Sequence, residues 1–435
     1  MNAPDTVTET PVTIHKLSHE GRGIAHINGK ITFVFGALPA EQVEITYHNK
    51  RSKFDEASVV KILSPSEERV QPRCQFFGTC GGCSLQHMSQ NAQVAFKEGV
   101  LLEQLLHFGK TKPEELLAPL IADPYGYRRK ARYSVRFVKK KNKMLLGFRE
   151  LFHPRFLAEI TTCYVVHPIL AGLIEPLQAL MGTFENKEHI AQIEAAVGDN
   201  AAALVIRHLE AMPAADQQNL IEFAKTHRIW LFFQPKGYDS IHKVYPSDAE
   251  DELTYELVDG LKLYFHPTDF TQINAGINRQ MIAQALNLLD PQPGDTILDL
   301  FCGLGNFSLP LAQKGAHVIG IEGDEAMTKR AAKNAQKNNL NIQFACHDLN
   351  KNDSIQQLPK ANKMLIDPPR SGACAVVEQA DLSTVERLLY VSCNPATLAR
   401  DAGILANRGF KLAKVGIMDM FTHTEHVEAM ALFTR

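Results

Sequence analysis

Thr296-Ile297-Leu298-Asp299-Leu300-Phe301-Cys302-Gly303-Leu304-Gly305-Asn306-Phe307 reads as a buried strand running into a glycine turn and then a helix. Gly303 and Gly305 permit a tight backbone and close approach of a ligand. A second strand, His317-Val318-Ile319-Gly320-Ile321, ends at Glu322, 17 residues after Gly305. A carboxylate there can accept hydrogen bonds from two ribose hydroxyls. From about residue 276 to 435, apolar strands alternate with helical stretches. That alternation predicts a Rossmann-like, doubly wound parallel sheet.

A glycine turn alone does not identify its ligand. A dinucleotide site wants Gly-x-Gly-x-x-Gly, and this turn has Phe307-Ser308 where the third glycine belongs. Asp299 before the turn suits an S-adenosylmethionine site, where it can steer the glycine loop or the methionine end and no pyrophosphate needs cradling. Asp348, in Cys346-His347-Asp348, lies where an adenine amino group needs an acceptor. The pattern favours S-adenosylmethionine over a nicotinamide dinucleotide, and so counts against an oxidoreductase.

Met364-Leu365-Ile366-Asp367-Pro368-Pro369-Arg370 places another aspartate at a strand end, and its two prolines stiffen the following loop. Asp-Pro-Pro loops occur in methyltransferases that hold a planar base; a rigid turn with a solvated aspartate is the plainer account. Leu388-Leu389-Tyr390-Val391 leads through Ser392-Cys393-Asn394-Pro395 toward a helix. Cys393 therefore falls at the carboxyl edge of the sheet, where open α/β sheets bind ligands. A helix N-terminus there favours the thiolate and predicts a depressed pKa, whereas a small buried apolar residue is the alternative. Within His423-Thr424-Glu425-His426-Val427-Glu428, the last residue opens an apolar stretch. Partial burial would raise its pKa toward that of a general base, unless it faces water on an edge strand.

The 435-residue chain is 45% hydrophobic and 22% charged, the composition of a soluble globular protein of two to three domains. No apolar stretch approaches the roughly 20 residues of a membrane span, and residues 1–10 lack a leader's basic start and apolar core. A cytoplasmic location is expected, so a cysteine cluster suggests metal or catalysis rather than disulfides. Cys74-x5-Cys80-x2-Cys83 supplies three candidate ligands, with Cys163 the fourth because the other cysteines belong to the C-terminal half. Four thiolates suit zinc or an iron–sulfur cluster, and spacing does not choose between them.

Residues from about 10 to 64 carry short apolar runs separated by turn signals, among them Asn28-Gly29, which suits a hairpin. Five short strands and an OB-like barrel are expected. His19-Glu20-Gly21-Arg22-Gly23-Ile24-Ala25 resembles the TRAM domain attached to several RNA-modifying enzymes. A helix is predicted over 91–108 from Val94, Phe96, Val100, Leu101 and Leu105. Net charge is only -2, yet Arg128 to Arg149 holds ten Lys or Arg and no Asp or Glu, with Tyr133, Phe137 and Phe148 interleaved. This is the footprint of a polyanion site, the alternative being a solvated hairpin.

Asp269-Phe270-Thr271-Gln272-Ile273-Asn274, the glycine turn, Asp367-Pro368-Pro369-Arg370, Ser392-Cys393-Asn394-Pro395 and His426-Val427-Glu428 together resemble the RNA uracil-C5 methyltransferase family. The resemblance spans essentially the whole chain, and the barrel and cysteine cluster are similar to its 23S rRNA-directed members. It implies a multidomain protein: a TRAM barrel over 8–66, a central α/β RNA-binding domain over 67–270, and an S-adenosylmethionine-dependent methyltransferase domain over 271–435. In the central domain it implies a [4Fe–4S] cluster on Cys74, Cys80, Cys83 and Cys163, with helix 91–108 packing on the catalytic domain. It implies that Cys393 is the nucleophile and Glu428 the base. Gln272, Phe301, Asn306, Glu322, Asp348 and Asp367 would line the S-adenosylmethionine pocket, and Phe270 would stack near a flipped uracil. The expected partner is 23S rRNA, bound by a monomer with no membrane and no protein partner. A tRNA-directed enzyme is one alternative. A non-catalytic iron–sulfur RNA-binding protein is another, opposed by the presence of Cys393 and Glu428.

Overall fold

A computed structural model describes residues 11–248 and 250–435. The leader reading of residues 1–10, and residues 8–10 of the predicted barrel, lie outside them. The N-terminal strands form one six-stranded sheet in the order Val12–Thr13, Gln42–Lys50, Phe54–Ser64, Lys30–Phe35, Gly23–Ile27, Lys16–Leu17. Six strands thus stand where five were expected. Val12–Thr13 pairs at one edge and Lys16–Leu17 at the other, so the chain bends at Ile14-His15 and draws the two edges together. Ile14, Val34, Val43 and Ile45 fill the interior. Asn28 and Gly29 turn the predicted hairpin at φ 51° and 78°, the positive pair such a two-residue loop requires.

The middle of the chain folds into a second six-stranded sheet, ordered His242–Tyr245, Trp230–Gln234, Ala202–His208, Ile190–Val197, Lys130–Val138, Lys143–Gly147. One face packs helices Ile174–Met181 and Ala214–His227. The other contributes Ala203, Val205 and Phe232 to a core shared with helix Ala275–Leu289 and the C-terminal sheet.

The basic run lies along Lys130–Val138, Lys143–Gly147 and the turns beside them, and some of its cations meet acids that the local sequence lacks. Acid partners are absent locally but arrive from elsewhere: Arg129 pairs with Asp199, Arg132 with Glu194, Lys139 with Glu188, and Lys141 and Lys143 with Glu159. Lys130 is turned inward onto the Asp269 carbonyl, fastening the segment that leads to Phe270 and Gln272. Four acids thus offset part of a ten-cation run, and the strip stays net positive.

The C-terminal sheet has eight strands, ordered Gln343–Cys346, His317–Glu322, Thr296–Leu300, Lys363–Ile366, Arg387–Ser392, Glu428–Thr434, Lys411–Met418, Glu115–Leu116. The first five run parallel, as the alternation predicts. Glu428–Thr434 runs antiparallel between its neighbours. The predicted helix over 91–108 is Gln90–Gln104 followed by a wider turn, Leu105–Gly109. Its buried face differs from the expected one: Gln93, Lys97, Val100, Leu101 and Gln104 point inward, while Val94 and Phe96 are only partly covered. Among the described residues, no helix is long and apolar enough to cross a membrane.

Candidate active site

Parallel strands deliver their carboxyl ends to one edge of a sheet, and ligands bind in the crevice beyond it. Here Phe301 follows Thr296–Leu300, Glu322 ends His317–Glu322, Asp367 follows Lys363–Ile366, and Cys393 follows Arg387–Ser392. The antiparallel strand adds Glu428 to the same edge. Ser392 pairs with Ala429, so the next step of the register sets Glu428 across from Cys393.

A cavity of about 640 Å³ opens at this edge. Gln272, Phe301, Asn306, Glu322, Asp348, Asp367, Cys393 and Glu428 all line it, so the fold brings every predicted pocket residue together. Phe270 also lines it and is 68% exposed, an aromatic face open to a ligand. One oxygen of Glu322 accepts Gly303 N–H at 3.0 Å and the other accepts Gly323 N–H at 2.7 Å. Asp324 N–H joins the second oxygen at 3.1 Å, so the carboxylate is held in orientation with about one of its four lone-pair sites still open. Asn306 is locked in a reciprocal amide pair with Asn278, 2.9 Å each way. Phe301 has φ 61°, a left-handed backbone uncommon for a non-glycine residue, at the turn that forms the pocket wall.

Asp299 takes the first of the two roles the sequence allowed. It is fully buried and accepts the Ser308 hydroxyl at 2.5 Å, tying the strand to the helix after the glycine loop rather than facing the cavity. Burial pushes its carboxyl up to about 7. Asp367 is likewise held at about 7, by burial and then by the charge of Asp299.

The thiol departs from expectation. Cys393 is pushed up to about 11, first by burial and then by Glu428 and Asp367, with Arg370 pulling the other way. The adjacent helix end is taken instead by Asn394, whose side chain caps it by accepting Ala396 N–H. Two nearby acids thus oppose the thiolate that a helix terminus was expected to favour. Glu428 is partly buried and its pKa is raised well above the carboxylate range, by burial and then by Asp367. Arg370 and Lys97 counter that shift. Arg370, the residue after the two prolines, is a cation acting on both Cys393 and Glu428.

A second cavity, of about 310 Å³, is lined by all four candidate metal ligands, Cys74, Cys80, Cys83 and Cys163. Burial, followed by the neighbouring sulfurs, holds Cys80 at about 11 and Cys83 at about 12. Cys163 is raised by burial as well. Among the described residues, no group of three His, Cys, Asp or Glu is gathered tightly enough to hold a metal ion. Arg370, Phe421 and His426 line both cavities.

Comparison with known proteins agrees with this geometry. The family profile described as tRNA (Uracil-5-)-methyltransferase matches residues 250–435, and the TRAM domain profile matches residues 6–60. The chain is 48% identical over 430 residues to the 23S rRNA (uracil(1939)-C(5))-methyltransferase RlmD of Hahella chejuensis, covering 97% of this chain and 96% of that protein. It is 47% identical to the RlmD of Legionella pneumophila, covering 99% and 98%. Among solved structures, the Pyrococcus abyssi tRNA (uracil-54, C5)-methyltransferase in complex with S-adenosyl-L-homocysteine shares the fold with a TM-score of 0.76 at 21% identity, covering 98% of this chain and 100% of that one. Identity near one half along almost its whole length means that the chain belongs to the RlmD family of RNA uracil-C5 methyltransferases.

Proposed function

We propose that this protein methylates C5 of a uridine in 23S rRNA, using S-adenosylmethionine and a covalent cysteine adduct. One observation carries the reading: Cys393 and Glu428, set opposite each other by antiparallel register, share a cavity with a prearranged ribose acceptor. Glu322 would take the ribose hydroxyls and Asp348 the adenine amino group. Gln272, Phe301, Asn306 and Asp367 would close around the rest of the cofactor. S-adenosylmethionine, when bound, supplies an electrophilic methyl group.

Uracil C5 is too weak a nucleophile to take that methyl unaided. Addition of the Cys393 thiolate to C6 converts the ring to an enolate whose C5 can attack, which is covalent catalysis. Arg370 offsets the negative charge that gathers as thiolate and enolate form. After transfer, Glu428 removes the C5 proton, and its raised pKa makes it the stronger base for that task. The target base must first leave its stack, and exposed Phe270 offers it a ring face.

The four cysteines, which line one cavity, would hold a [4Fe–4S] cluster, the group that the family resemblance implies for them. Bound there, the cluster would cross-link segment 74–83 to Cys163. We take the chain as three units, over 8–66, 67–270 and 271–435, acting as a cytoplasmic monomer.

The decisive experiment methylates total RNA with tritiated S-adenosylmethionine. Label in 23S rRNA, lost in Cys393→Ala, is expected. Label chiefly in tRNA would move the substrate to the class named by the matching family profile and by the Pyrococcus protein.

A further inference from the structure

The loop from Asp419 to Val427 carries Glu428 at its end, yet most bonds that fix it come from residues 84–127. Lys97 Nζ donates to Asp419 at 2.6 Å and to the Phe421 carbonyl at 3.0 Å, and both side chains of this ion pair are wholly buried. Tyr127 OH donates to the Thr422 carbonyl at 2.9 Å. His423 N–H donates to Gln93 at 2.8 Å, and the His423 carbonyl accepts Ser84 N–H at 2.9 Å and Leu85 N–H at 3.0 Å. These anchors hold His423 at φ 70°, a left-handed conformation that a free loop would relax. The last anchor before the base is Ser84. Its hydroxyl donates to the Glu425 carboxylate at 2.5 Å and accepts Glu425 N–H at 3.1 Å.

We propose that Ser84, the residue immediately after Cys83, is a positioning residue for Glu428, acting through Glu425 on the proton-removal step. The proposal rests on the function proposed above. In that step the Glu428 carboxylate takes the C5 proton, the C5–H pair becomes the C5=C6 double bond, and the C6–S bond breaks with its electrons returning to Cys393. A loop slackened at Glu425 leaves thiol addition and methyl transfer intact, because Cys393 and the cofactor carboxylates sit on other strands. Only release of the product slows.

The test uses the full chain, S-adenosylmethionine and 23S rRNA carrying tritium at uridine C5, in single turnover. Wild type releases tritium as fast as it incorporates methyl. Ser84→Ala keeps both main-chain anchors at Ser84 and Leu85, so it folds; its methyl incorporation should stay within about twofold while tritium release falls about tenfold. A methylated protein–RNA adduct should then persist on denaturing gels, and Ser84→Thr, which keeps the hydroxyl, should abolish it. Equal slowing of both steps, no slowing, or failure of the threonine rescue would overturn the positioning role. Failure of wild type to trap 5-fluorouridine RNA would instead overturn the functional reading beneath it, and the proposal with it.

Discussion

Asp299, buried behind the larger cavity, and Asp367, in its wall, are two carboxyls that burial raises from 3.8 to about 7. A carboxyl that ionises less readily in the folded chain favours folding when protonated. Its contribution is complete below the unfolded value near 3.8 and is lost as pH climbs to about 7. The ligand-free protein should therefore lose stability on the order of a few kcal/mol across that window. Urea midpoints measured at intervals between pH 4 and 7.5 check this, and Asp299→Asn should flatten the curve. A midpoint that stays level or rises would contradict it. Residue identities at this scale were largely legible: every cavity residue named from the motifs lies in the cavity. Thiol chemistry was not, since the helix end was visible in the sequence and the two opposing acids were not. Lys97 was legible only as an anomaly, a lysine four residues from Leu101 on the buried face of a helix. Its partner, Asp419, lies 322 positions away.

The elements that shape the site are strand Glu428–Thr434 and helix Pro395–Asn407. The strand's apolar character could be read directly, but not its direction or its insertion between Arg387–Ser392 and Lys411–Met418, which sets Glu428 opposite Cys393. The helix begins just beyond Cys393 and packs against the wide turn Leu105–Gly109. At Gly109 a Cβ would lie 2.6 Å from the Ala399 carbonyl oxygen, and at Gly403 one would lie 2.9 Å from the Gly109 carbonyl oxygen. Both obstructing atoms are backbone, so neither can step aside. Gly109→Ala should cost about 1–3 kcal/mol of unfolding free energy by prising turn from helix. Denaturant titration checks it, and an unchanged midpoint would show that the turn yields.

At the scale of the whole molecule, two cavities lie back to back and share Arg370, Phe421 and His426 as walls. The side chains of these three residues thus stand between the four cysteines and the cavity that holds Cys393. Protein purified without oxygen should be brown, with iron and sulfide near four atoms each by the ligand chemistry of such clusters. Replacing Cys163 with serine should remove both. Stoichiometric zinc would refute the cluster. The acid partners of the basic run belong to the same scale: Asp199, Glu194, Glu188 and Glu159 come from other parts of the middle segment. A count along the sequence could not see them.

By itself the sequence determined the parallel sheet, the glycine turn, the carboxylates at the strand ends and the four cysteines, because these depend on local periodicity and on residue types at fixed spacing. Tertiary structure decided what those groups meet. Antiparallel insertion of the last strand brings Glu428 to Cys393, and burial, followed by the charges of Glu428 and Asp367, raises the thiol. Charge, burial and register between residues hundreds of positions apart are properties of the packed chain, and no local pattern records them.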